Sequence, residues 1–302
     1  MFKQLRFYRL TAASFPNTAV IESALAKSRF SSCGPTEKKS VGWTPPRGNA
    51  FDPLLEVIDS QWILRMTVET KAVPGAALRK GVEERCNKIE TEEGRKPGRK
   101  ERKEIKEDVE LELLPRAFAR TNSTTIWIDR MARTLVIGST SSGTCDDVVG
   151  QLMQNLSDIV PGLAIQFVDT NKSPMGAMSS WLMDHEAPGA FTLDRTLELK
   201  ASDDTKATVK YARHDLDVGA VREQLAAGLM PINLGLTWSN LVSFVLGADL
   251  SIKKITLLDV VEAESEESEV DSFDADVSLM TGTLSGLLPE LAKALGGYTE
   301  DI

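Results

Sequence analysis

Apolar residues recur at helical spacing from Leu78 through Val82 to Ile89, and again from Ile105 through Val109 to Leu113, which predicts helix over most of the stretch 73–120. Pro97 and Gly98 interrupt the pattern, so two helices joined by an elbow are expected rather than one rod. The stretch opens at the break Val73-Pro74-Gly75 and ends abruptly at Leu113-Leu114-Pro115.

On either side the pattern is shorter and mostly that of strands. Phe2, Leu5, Phe7 and Leu10, separated by Lys3, Arg6 and Arg9, predict a strand over 2–10. Asn17 is placed to cap a short helix over 18–27. A strand is expected over 29–33, while Pro45 and Pro46 exclude helix from 41–46. A strand over 59–69 leads into the arm. Beyond the arm, 124–129 and 134–138 predict a β-hairpin, followed by an amphipathic helix over 145–157, a strand over 163–168 and a helix over 177–184. Strands at 190–200 and 205–213, a helix at 218–227, and strands at 230–236, 241–246 and 252–258 follow. Leu279, Leu284, Leu287, Leu288, Leu291 and Leu295 mark a closing helix from about 275, stopped by Gly296-Gly297. Hairpins alternating irregularly with helices give an α+β fold: antiparallel sheets with helices and a long helical arm. The divisions are 1–72, a basic helical arm at 73–120, and 121–302, expected as one interlinked architecture.

At 302 residues and 42% apolar content, the chain has ample material for a core. Cys33, Cys86 and Cys145 are odd in number and form no CxxC pair. This favours a reducing cytosol over a disulfide framework or cysteine-ligated metal. The charged N-terminus lacks a signal peptide's apolar run, and no segment approaches the roughly 18 apolar residues of a membrane span. A soluble intracellular protein is expected.

The net charge of −9 argues against a polyanionic partner until its distribution is considered. Nine acids and no Lys or Arg fall between Asp259 and Asp276, so the rest of the chain is electrically balanced. Against that balance, Arg95, Lys96, Arg99, Lys100, Arg102, Lys103 and Lys106 place seven cations within twelve residues. Arg99, Arg102, Lys103 and Lys106 recur at spacings of three and four and so share one helical face. The competing reading is a solvated, salt-bridged helix, because Glu101, Glu104, Glu107 and Asp108 are interspersed.

Catalytic motifs are weak. His185 and His214 are too far apart for an HExxH site. The stretch Gly138-Ser139-Thr140-Ser141-Ser142-Gly143-Thr144 has the glycine spacing of a phosphate-binding loop, but Thr144 stands where its lysine should be. Asp146 suits a helix N-terminus better than a metal. Ser179, Ser180 and Ser239 lack the elbow of a hydrolase nucleophile. No enzyme activity, metal or cofactor is expected.

Several peptides together carry a resemblance: Phe2-Lys3 through Tyr8-Arg9-Leu10, Gly42-Trp43-Thr44-Pro45-Pro46, Leu113-Leu114-Pro115-Arg116-Ala117-Phe118, Trp127-Ile128-Asp129, Phe273-Asp274-Ala275-Asp276 and Leu279-Met280-Thr281-Gly282. In this order they resemble the RdgC family of recombination-associated bacterial DNA-binding proteins, from end to end. The resemblance implies a nucleoid-associated cytoplasmic homodimer, two subunits forming a closed ring around duplex DNA without reading its sequence. Single-stranded DNA is a further candidate ligand. It also implies antagonism of RecA by competition for DNA, and no catalysis. The family's DNA-proximal basic positions match Arg95, Lys96, Arg99 and Arg102, although Pro97 and Gly98 depart from a plain basic helix. Its phenylalanine dimer contact matches Phe118, and its basic-plus-amide pair before Asp-Leu is replaced here by Arg213-His214, before Asp215-Leu216. The rival expectation, from a different class, is a protein-interaction scaffold whose acidic segment mimics nucleic acid and binds a basic partner.

Overall fold

The computed structural model describes residues 1–202, 207–212, 216–258 and 269–299. In chain order these form β1 (Gln4–Thr11), α1 (Thr18–Ala26), β2 (Lys39–Thr44), β3 (Leu55–Ile58), β4 (Gln61–Lys71), α2 (Gly75–Glu93), α3 (Arg99–Leu113), β5 (Ala119–Asp129) and β6 (Thr134–Ile137). There follow α4 (Ser142–Leu156), β7 (Ala164–Phe167), α5 (Pro174–Asp184), β8 (Phe191–Ala201), β9 (Thr208–Tyr211), α6 (Val218–Ala226), β10 (Leu229–Trp238), β11 (Val242–Gly247), β12 (Ile252–Leu257) and α7 (Glu269–Ala294). The α+β expectation and the large antiparallel sheet are both met.

Among the described residues the strands join in the order β2-β4-β5-β6-β1-β12-β11-β10-β8-β9, with β3 on β4 and β7 on β1. β1 is the seam. Its first residues, Gln4 and Leu5, pair with β12, while Arg6–Arg9 pair with β6 and Tyr8–Thr11 with β7. Strand side chains alternate between faces, so β1 feeds two cores. Leu5 and Phe7 enter one that includes Leu284, Leu287 and Leu291 of α7. Tyr8 and Leu10 enter the other, with Leu25 of α1 and Leu152 of α4.

Two local expectations differ from the structure. The strand expected over 29–33 reduces to a single bridge between Arg29 and Trp43. There Phe30 N–H donates to the Trp43 carbonyl, and the chain then leaves the sheet. β3 is an added strand before the one predicted over 59–69; Asp59 and Ser60, with φ of 48° and 69°, turn it directly into β4. The phosphate-loop-like stretch has a packing explanation. A Cβ on Gly138 would lie 3.0 Å from the Thr125 carbonyl oxygen and 3.1 Å from the Phe2 ring, so this glycine admits Phe2 to the core.

The arm grows out of adjacent strands. β4 ends at Lys71, opposite Ala119 at the start of β5, and α2 and α3 form an antiparallel helical hairpin between them. Val82, Ile105 and Val109 are its buried residues, with Leu78, Cys86, Ile89 and Leu113 packed around them. Gly81 explains the close helix crossing: a Cβ there would lie 2.6 Å from Val109 Cγ1. A helical glycine costs about 1 kcal/mol relative to alanine, and here the missing side chain makes room for the contact.

Candidate nucleic-acid interface

The seven predicted basic residues fall into three settings. Arg95 lies in the elbow and is occupied. Its Nη1 and Nη2 donate to Glu101 Oε2 and Oε1 at 2.7 and 2.9 Å, and it also meets Glu93 at 2.7 Å. Glu101 additionally accepts from the Gly98 N–H at 3.3 Å, so one carboxylate caps α3 and holds the elbow. The hydrogen bonds from Arg95 keep this carboxyl below its ordinary range. Lys96 lies 3.6 Å from Glu90.

Arg99, Arg102, Lys103 and Lys106 instead line a common groove of about 610 Å³ between the two helices. Leu78 and Val82 also line it; Arg79 from α2 adds a fifth cation, and Glu83 is its one acidic lining residue. Arg99, Arg102 and Lys106 make no ion pair among the described residues, and Lys103 makes only a 3.7 Å contact with Glu107 on its own helix. Lys100 is exposed outside this groove.

The other side of the hairpin is different. Arg85 of α2 meets Asp108 at 3.9 Å and also pairs with Glu112 of α3, closing the helices together. Lys38 reaches Glu110 at 2.7 Å and ties α3 back to the body. Cation and acid thus neutralise one another on that side, while uncompensated cations collect on the groove side. Such a surface can hold phosphates by position and charge. Arg79 was not singled out from sequence because the cations of α2 are dispersed among acids and form no dense run; the signal for it was its place beside Leu78 and one turn from Val82.

Among the described residues, no group of three or more His, Cys, Asp or Glu is placed to hold a metal ion, and no helix is long and apolar enough to cross a membrane. The family model described as "Putative exonuclease, RdgC" matches residues 1–298. The chain belongs to the RdgC family. "Recombination-associated protein RdgC" of Dechloromonas aromatica (strain RCB) is 37% identical over 302 residues, covering 98% of this chain and 97% of that protein. The proteins of the same name from Cupriavidus pinatubonensis and Bordetella pertussis are 37% and 36% identical, with 98% of each chain covered.

The other positions singled out by the resemblance are Phe118, Arg213 and His214. Phe118 follows a tight turn at Leu114–Arg116, in which Leu114 is fully buried, and its own ring is 94% exposed. It does not pack into the core of this chain. Arg213 and His214 lie outside the described residues.

Proposed function

We propose that this protein acts in recombination by binding duplex DNA without sequence preference, through the groove side of the helical arm. The observation that carries the reading is the gathering of Arg79, Arg99, Arg102, Lys103 and Lys106 around one groove, while most of the arm's ion pairs form elsewhere. Phosphates are the negative groups that an extended basic face can meet regardless of sequence. The names of the relatives support the association with recombination.

In the same reading two subunits close into a ring around the duplex, and occupancy of the DNA limits access by RecA. Phe118 is the side chain on which the dimer contact rests, because an exposed aromatic beside the arm's root is suited to fill a partner's pocket. Arg213 and His214 complete the proposed contact, and single-stranded DNA is a secondary ligand. The protein works as a binder rather than an enzyme, associated with the nucleoid in the cytoplasm.

Reversing Arg99, Arg102 and Lys103 to Glu tests the reading. These side chains are exposed, so the melting temperature should stay near wild type while the gel shift disappears. In wild type, log affinity should fall linearly with log salt, by roughly 0.9 per phosphate contacted. Unchanged affinity in the variant would overturn the assignment, and a preference of orders of magnitude between unrelated duplexes would overturn non-specific binding. Progressive shortening of an end-labelled duplex in Mg²⁺ would overturn the non-enzymatic part and favour the exonuclease named in the family description.

A further inference from the structure

A second polar site lies on the strands that carry the arm. Thr44 of β2, Arg65 and Thr67 of β4, and Ser123 of β5 line a pocket of about 340 Å³, walled by Phe30, Pro45 and Gly48. The pairing registers Thr44 with Arg65 and Thr67 with Ser123 place these side chains on one face of the sheet. Arg29, whose guanidinium donates to the Ala50 carbonyl, adds a second cation to the lining, which contains no carboxylate.

Two features point to a ligand. Arg65 is half-buried, yet it has no hydrogen bond or ion pair among the described residues. The hydroxyls of Thr44, Thr67 and Ser123 form a chain, with oxygen separations of 2.8 and 2.9 Å. Two hydrogen bonds use two of the three hydroxyl protons and leave one to donate. The nearest acid along β4 on this face, Glu69, already accepts from the Cys33 N–H and the Thr121 hydroxyl. A planar guanidinium beside a spare hydroxyl donor matches a tetrahedral oxyanion.

We propose that this pocket binds a phosphate group. The favoured source is the DNA backbone, an extension that rests on the reading above. Thr67 and Ser123 pair four residues along the strands from the arm's root at Lys71 and Ala119, roughly 13 Å away at strand rise. The pocket then gives the duplex a grip on the sheet in addition to the arm.

Arg65→Gln tests this in the full-length chain, with a short fluorescent duplex and inorganic phosphate as separate probes. Loss of a charge-assisted contact should weaken duplex binding about tenfold. The slope of log affinity against log salt should flatten by about 0.9. Inorganic phosphate should raise the melting temperature of wild type but not of the variant. Because Ser123 is exposed, Ser123→Ala provides the phosphate-protection and affinity readouts if Arg65→Gln fails to fold; the salt slope should stay unchanged in that variant because no cation is removed. Phosphate protection that depends on Arg65, with duplex affinity and slope unchanged, supports the site but assigns it to a free phosphate ester. The same protection in a wild-type protein that binds no duplex preserves the pocket and removes the DNA reading. No phosphate protection and an unchanged duplex slope overturn the proposal, even where the arm variants abolish binding.

Discussion

The sheet body buries Leu5, Trp43, Trp62 and Trp127 to 1% exposure or less, in cores on both faces of the sheet. The arm rests on Val82, Ile105 and Val109, supplemented by ion pairs at its surface. Burial of a large side chain contributes about 1.5–3 kcal/mol, whereas an exposed ion pair contributes at most about 1 kcal/mol and weakens with salt. The candidate binding residues therefore stand on the less stable of the two regions. That arrangement suits a surface whose partner supplies part of its order, since thinly packed elements open at low free-energy cost.

The largest expected effect lies in the body. Trp43 is fully buried, and its Nε1–H donates to Asn155 Oδ1 at 2.8 Å. Trp43→Ala should cost about 3–5 kcal/mol and shift the main denaturant transition as a whole. A variant that melts like wild type would show that the body is less dependent on its core than its packing implies.

Val109→Ala should cost about 2 kcal/mol, but confined to the arm. Amides of α2 and α3 should exchange faster and duplex affinity should fall, while the main transition stays in place. A matching drop of the main transition would mean that arm and body unfold together, which removes the contrast between them. Gly81→Ala sharpens the same point. Its new methyl group meets Val109, so overpacking of about 1–3 kcal/mol competes with a helix-propensity gain of about 1 kcal/mol. A net loss of arm protection is expected. Increased protection would show that the helices can separate without penalty.

The smallest effect concerns the elbow. Glu101→Gln releases Arg95 from its paired hydrogen bonds and adds one unit of positive charge, so duplex affinity should rise a few-fold at low salt. The pH dependence has a definite sign. Because Arg95 depresses the Glu101 carboxyl in the folded arm, the contact is fully present above the unfolded pKa of about 4.3 and is lost as pH falls through the lower folded value. Protection of the Gly98 and Arg102 amides in wild type, taken relative to their intrinsic exchange rates, should therefore drop in acid. In Glu101→Gln it should show no such step, and a persistent step would assign the titration to another group.

Much of this architecture was legible along the chain. Periodicity located α4, α6, α7 and the β5–β6 hairpin, and the Pro97-Gly98 break divided the arm into two helices, because each signal depends on residues close in sequence. Spacings of three and four likewise placed Arg99, Arg102, Lys103 and Lys106 on one face of α3. Sequence could not show which cations were already occupied: Arg95 and Lys106 belong to the same charge run, yet Arg95 is neutralised across the elbow and Lys106 lines the groove. Nor could it join Arg79 to that groove, expose Phe118, or bring Arg65 beside the hydroxyls of Thr44 and Ser123. Those outcomes depend on which helix packs on which and on how distant strands pair. They are set by burial and register over long separations, and local spacing carries no record of either.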